Sequence, residues 1–255
     1  MSALSRLVGW WLACVALCAA RAAAQSPSYE RALAAYQSGD YASARAEWLL
    51  ALDDESVDRA AVLYDLGNVA VREKRPLQAA AWYTASLRLA PRNAQARHNL
   101  EFARREAGLE PDDRGDLRST ARRLVTMLTV VECERLLLVL AAGLAVALTW
   151  EALRGGLAAK AASWVLASAV ALALVPWSVQ SFVGHDAAVF VTQPEGAALL
   201  SEPRDAAAMI GRLPPASEAL RVDALPGWVR VATSEGALGW IRGDSCVELG
   251  AGAAD

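Results

Sequence analysis

Two uninterrupted apolar runs constrain this chain more than any other feature. No charged side chain occurs from Leu136 to Trp150, and none between Lys160 and His185. Extended past Glu151 to Leu153, the first run covers 18 residues, about 27 Å of α-helix at 1.5 Å per residue. That length nearly crosses a hydrocarbon layer of about 30 Å. Trp150, Trp164 and Trp177 lie near the ends of the runs, where indole rings favour the membrane–water boundary. Two buried helices of a soluble protein would need a large core around them, and the rest of the chain is too small and too charged to supply one. The sequence therefore predicts a transmembrane hairpin, with helices over 136–153 and 161–182 and a short cytoplasmic loop over 154–160. Ala141 and Ala145 on one helix, and Ala167 and Ala171 on the other, are spaced to allow close helix contact.

The N-terminus, "MSALSRLVGWWLACVALCAARAAAQS", has a basic residue, a short apolar stretch and Ala22-Ala23-Ala24 before Gln25. This is the layout of a secretory signal over 1–24, with a retained membrane anchor as the other reading. Either way the following residues are exported. A signal places the N-terminal module and the C-terminus outside and the 154–160 loop inside. Arg154 and Lys160 agree with the positive-inside tendency. Arg114, Arg118, Arg122 and Arg123 disagree with it, unless an interfacial helix holds them.

Residues 25–108 show a different pattern. Small or apolar residues recur with helical spacing at Leu63, Leu66, Ala70, Ala79, Tyr83 and Leu87. Pro76 suits a helix start, where its missing N–H costs nothing, and Pro91 marks an end. Gly67 removes a side chain where two helices cross. Asp65-Leu66 is followed 34 positions later by Asn99-Leu100. Upstream, "YQSGDYASARAEWLLAL" repeats the second half of the unit, with Ala44 aligned to Ala79 and Trp48 to Tyr83. Each pair of helices exposes an apolar stripe that only stacking can bury. The unit resembles the tetratricopeptide repeat, strongly over 60–93, fairly over 28–59, and over the first helix alone for 94–107. The first copy departs from the motif, with Arg31-Ala32 in place of Leu-Gly and no closing Pro. The resemblance implies a concave surface lined by the first helix of each pair, which nominates Tyr36, Tyr64, Asn68, Arg72 and His98 as partner-binding residues. Stack packing is the competing role for Tyr36 and Tyr64. The Lys/Asn/Arg set with which some members clamp a C-terminal carboxylate is missing, so that specificity is not expected.

Residues 109–135 read as a polar linker followed by an amphipathic juxtamembrane segment, its Arg side chains at the headgroups, with a solvated helix face as the other reading. Beyond His185 the period changes to two. "AAVFVTQ", "EALRVDA", "GWVRVATSE" and "ALGWIRGDSCVEL" are short strand patterns broken by Gly and Pro, and a turn is expected at Glu235-Gly236. Residues 186–250 resemble the bacterial SH3-like domain through Gly227-Trp228-Val229 and Gly239-Trp240-Ile241. Trp228 and Trp240 are candidates for an aromatic recognition face, with hairpin packing as the alternative. The usual Arg-Ser-Gly-Pro loop is replaced by Leu200-Ser201-Glu202-Pro203.

The fold class expected is multidomain and mainly α: a tetratricopeptide α-solenoid, a two-helix transmembrane hairpin and a small all-β SH3-like barrel. The net charge of −3 gives no indication of nucleic acid binding, and from residue 186 on ten acidic residues face five basic ones. Of four Cys, Cys14 and Cys18 lie in the N-terminal apolar run, which leaves a single Cys133–Cys246 bridge open and no metal or redox spacing. No nucleophile elbow, phosphate loop or metal motif occurs, so neither enzymatic activity nor a cofactor is expected.

The order of modules resembles the E-type proteins of the bacterial aerotolerance (Bat) operons. That resemblance implies work alongside membrane von Willebrand A-domain (VWA) proteins and a MoxR-type ATPase in envelope stress tolerance at the inner membrane, with both end domains in the periplasm. The alternative is a cell-wall protein gripping peptidoglycan or its peptides through the SH3-like domain. Composition and spacing alone support export, anchoring and two binding-type modules.

Overall fold

The structure is a computed structural model and describes residues 27–110, 127–183, 188–233 and 235–249. The expected signal over 1–24 and most of the basic linker lie outside the described residues. The chain is mainly helical, with a C-terminal antiparallel sheet, and divides into two units between Val62 and Leu63.

In the first unit, α1 (Pro27–Ser38) and α2 (Tyr41–Ala51) pair through a tight turn at Gly39. Asp40 caps α2, its carboxylate accepting the Ser43 N–H at 3.1 Å, which satisfies a donor that the first helical turn leaves unpaired. Ala32, Ala44, Trp48 and Ala51 are buried between the helices. Arg31 and Glu47 bridge the pair at 2.9 Å. Helix α3 (Arg59–Arg72) begins at the end of this unit, with Asp58 accepting the Ala60 N–H at 3.0 Å.

The second unit holds the rest of α3, then α4 (Pro76–Leu89) and α5 (Ala94–Glu106). Pro76 occupies the first turn of α4. The Asn93 side chain caps α5 by accepting N–H groups from Gln95 and Ala96, each at 3.1 Å. At Gly67 the α4 helix comes close. A Cβ there would lie 2.5 Å from the Tyr83 ring, so only glycine fits without displacing a buried aromatic side chain.

Two long helices follow, α6 (Val130–Arg154) and α7 (Leu157–Val183). Both are long and apolar enough to cross a membrane. None of the most apolar window of α6 is buried by protein, and only 11 % of that of α7. A core helix of a soluble protein would be mostly covered. Helix α6 starts earlier than the apolar run, so 130–135 belongs to it rather than to a separate juxtamembrane segment. The reason is local. Thr129 accepts the Glu132 N–H at 3.2 Å, and Glu132 accepts the Thr129 N–H at 2.9 Å, forming a reciprocal capping box. The connector is also shorter than the 154–160 loop expected from the charges. Only Gly155 and Gly156 separate the helices, and both have positive φ. Lys160 is helical.

The C-terminal sheet has seven strands: β1 (Ala188–Val191), β2 (Ala197–Leu200), β3 (Met209–Leu213), β4 (Glu218–Leu225), β5 (Trp228–Ala232), β6 (Leu238–Arg242) and β7 (Cys246–Glu248). They pair antiparallel in the order β3-β2-β6-β5-β4-β1-β7. The stretch 197–213, for which the sequence predicts no strand, contains β2 and β3. Val189, Val191, Leu199, Val229, Val231 and Ile241 form the core. Gly239 lets β6 pass under Leu199, because a Cβ would lie 2.6 Å from that side chain. Cys133 is buried and Cys246 is partly covered, and no disulfide joins them. The bridge left open by the sequence is not formed.

Within this unit α4 packs against β1 and β7. Arg88, in the last turn of α4, meets Glu218 at the start of β4. Arg92, just beyond α4, pairs with Glu132 in the first turn of α6.

Candidate partner-binding faces

Five residues were nominated on the helical module, and the structure distributes them unevenly. Tyr36 is half-buried in the first unit. Its ring lies 5.5 Å from that of Tyr41 and 5.7 Å from that of Trp48, centroid to centroid. It therefore has a packing role. Hydrogen bonds from Ser43, through its side chain and then its backbone N–H, hold the Asp40 carboxyl below the usual carboxylate range.

In the second unit, Tyr64 and Asn68 of α3 belong to a single polar cluster with Tyr83 of α4 and Asn99 of α5. The Tyr83 hydroxyl donates to Asn68 Oδ1 at 2.8 Å. Asn99 Nδ2 donates to the Tyr64 hydroxyl at 3.1 Å and to Asn68 Oδ1 at 3.2 Å, with the Tyr83 hydroxyl at 3.5 Å. Asn68 Nδ2 in turn donates to Asp65 Oδ1 at 3.3 Å. The Tyr64 and Tyr83 rings pack with centroids 5.7 Å apart. Tyr64, Asn68 and Asn99 are each half-buried, so the cluster is at once a piece of the stack and a piece of its surface.

Among the described residues these contacts leave unspent, besides one Asn68 Nδ2 hydrogen, the Tyr64 hydroxyl hydrogen and Asn99 Oδ1. One can donate and the other accept. Such a donor–acceptor pair matches the C=O and N–H of a peptide backbone. Arg72 and His98 are exposed and stand outside the cluster. Sequence reading chose His98 and passed over its neighbour Asn99. The signal was present, since Asn99 stands 34 positions after Asp65 in the repeat alignment, and both side chains enter the same network.

On the β module, Trp228 and Trp240 share the face opposite the core. Strand alternation sends Val229, Val231 and Ile241 inward and sends Trp228, Arg230, Trp240 and Arg242 outward. The register sets Trp228 opposite Arg242 and Arg230 opposite Trp240. Each cation lies over a ring, Arg242 at 5.3 Å from the Trp228 centroid and Arg230 at 5.9 Å from that of Trp240. Trp240 is buried under this arrangement, while Trp228 stays half-exposed. A shallow groove lined by Leu225, Pro226, Gly227, Trp228 and Glu248 opens beside it.

Burial pushes the Cys246 thiol up to about 12, with Glu248 and Asp244 adding to the effect. No cluster of three or more metal-ligating side chains occurs among the described residues. No protein-family model matches the chain, and neither a curated protein nor a solved structure matches it.

Proposed function

We propose that this chain is a non-enzymatic, membrane-anchored scaffold that holds a protein partner through its N-terminal helical module. The polar cluster carries this reading. Tyr64, Asn68 and Asn99 come from two successive first helices, are half-buried, and retain a donor and an acceptor suited to peptide backbone. In this reading the paired helices are tetratricopeptide repeats, α6 and α7 are the transmembrane hairpin, and the β module is an SH3-like barrel. Both end modules then lie in the periplasm, on one side of the inner membrane. The module order supports a place among the aerotolerance-operon scaffolds, with VWA-domain membrane proteins and a MoxR-type ATPase system as partners.

Co-purification from detergent-solubilised membranes tests the reading. The full chain is compared with one lacking 25–110 and with the Asn99→Ala variant. Recovery of the same partner by all three would remove the helical module from the account.

A second reading has its own observation. The Trp228–Arg242 and Trp240–Arg230 pairs form a surface on which a peptidoglycan sugar or peptide could stack. Co-sedimentation of the full chain with sacculi, lost in Trp228→Ala, is the outcome that favours it.

A further inference from the structure

The outer face of the β module is more apolar than an acidic, soluble domain requires. Met209 is 61 % exposed, Leu238 50 % and Leu225 48 %. Strand alternation and register gather these side chains on one side of the sheet. Met209 pairs with Leu200, Leu200 with Trp240, and Leu225 with Trp228. The pairing continues from Trp240 to Arg230 and from Trp228 to Arg242. The result is a flat patch of large apolar and indole side chains with two guanidinium groups set among them.

The charges on this patch are unequally committed. Arg242 pairs with Asp205. Asp223 stands opposite Arg230 in the register, but its carboxylate accepts the Ala224 N–H at 2.8 Å. Arg230 has no carboxylate partner among the described residues and lies over the Trp240 ring. Indole and guanidinium side by side on an apolar surface suit the boundary between lipid headgroups and acyl chains. The position of the module in the chain supplies the second argument. Helix α7 ends at Val183 and β1 starts at Ala188, five peptide steps that reach at most about 18 Å. If α7 spans a membrane, the β module cannot leave the vicinity of the bilayer surface. Such tethering turns weak surface attraction into a standing contact.

We propose that the face carrying Met209, Leu225, Trp228, Arg230, Leu238 and Arg242 rests on the anionic headgroup layer of the bilayer that holds the chain's own hairpin. Arg230 faces lipid phosphate, and Leu225 and Trp228 sit at the acyl boundary. The inference rests on the membrane-anchored reading above, and the experiment separates the two.

Met209→Cys and Leu225→Cys are labelled singly with an environment-sensitive NBD probe in the full chain carrying Cys14→Ser and Cys18→Ser. Gln95→Cys on α5 serves as control. The labelled chains are reconstituted in nanodiscs of neutral lipid alone or of neutral lipid mixed with phosphatidylglycerol. The expected result is a blue-shifted emission and several-fold protection from iodide at 209 and 225, growing with the phosphatidylglycerol fraction, and no change at 95. The variant Arg230→Gln/Arg242→Gln is expected to lose the dependence on anionic lipid while keeping its far-UV spectrum. A folded double variant with the dependence intact overturns the assignment of the guanidinium groups. Should the double variant fail to fold, the two labels on exposed side chains still decide. A chain that co-elutes with nanodiscs but shows a water-like, fully quenched probe at both positions overturns the docking proposal alone. Protection that appears with soluble peptidoglycan fragments and never with anionic lipid overturns it in favour of a cell-wall ligand. A chain that does not enter nanodiscs overturns both the docking and the anchored reading.

Discussion

Arg88 Nη2 lies 2.9 Å from Glu218 Oε2, across 130 residues of chain. Everything in α6 and α7 lies between the two in sequence. An ion pair between α4 and β4 requires both to occupy the same compartment, a condition met when the intervening segment crosses a membrane an even number of times. The side chains are partly exposed, so the pair itself contributes little, about 0.2–1 kcal/mol. Its value is as a reporter. In a double-mutant cycle with Arg88→Ala and Glu218→Ala, a coupling of up to about 1 kcal/mol is expected at low salt, shrinking as salt screens it. A coupling of zero at low salt would show that α4 and β4 do not meet.

Gly67 has no room for a methyl group. Gly67→Ala places a Cβ 2.5 Å from the Tyr83 ring. The ring is held by Asn68 and by its packing on Tyr64, so it cannot retreat freely. Denaturant unfolding is expected to show a loss of about 1–3 kcal/mol, the usual range for overpacking. An unchanged midpoint would mean that the ring moves aside without cost.

Asn99 and His98 are neighbours with opposite expected effects. Asn99→Ala removes the donor shared by Tyr64 and Asn68, and should cost about 1–2 kcal/mol through the two hydrogen bonds lost at half-buried groups. It should also weaken partner capture. His98→Ala alters an exposed side chain and should stay within about 0.5 kcal/mol, with capture intact. The reverse ranking would return the binding role to the residue that the sequence suggested.

Acid should loosen α2 in a specific way. The Asp40 carboxyl sits below its ordinary value in the folded chain because it accepts hydrogen bonds from Ser43. Its contribution is therefore complete above the unfolded value of about 3.9 and is lost as pH falls through the lower folded value. Asp40→Asn keeps a good cap but no longer titrates. The acid limb of the stability curve, followed by circular dichroism, should flatten in that variant.

Cys246 should resist alkylation. With its thiol pushed up to about 12, only roughly one part in ten thousand is thiolate at pH 8, and the thiolate is the nucleophile. Cys133 is buried and should resist as well. Both should label only when the chain unfolds. The raised value also means that the stability contribution of Cys246 is full below about 8.5 and declines as pH rises towards 12. Fast labelling of the native chain at pH 8 would contradict the burial of Cys246.

The coarse architecture was legible because its signals are local. Long apolar runs almost free of charge mark α6 and α7, Pro76 marks the start of α4, and alternation marks β1, β4, β5 and β6. The missed elements lacked such signals. Strands β2 (AALL) and β3 (MIGRL) do not alternate apolar with polar residues, and a register shift follows Leu199, so no clean period appears. The extension of α6 back to Val130 depends on a capping box, which overrode the presence of Glu132, Glu134 and Arg135. The polar cluster was only half legible. Tyr64 and Asn68 were visible as first-helix residues, but the choice of Asn99 over His98 depends on helix rotation, which the repeat register encodes and composition does not. The Trp228 and Trp240 faces could be paired only once the strand register was known.

Glu132 is committed twice. It accepts the Thr129 N–H that starts α6, and it also takes the Arg92 guanidinium from the loop after α4. One carboxylate thus serves as the first stitch of a long apolar helix and as the hook for the helical module. A pull on the module would be delivered to the first turn of that helix. Neutralising this one side chain would remove the Arg92 pair and loosen the first turn of the helix at the same time, so the two effects share a single oxygen pair.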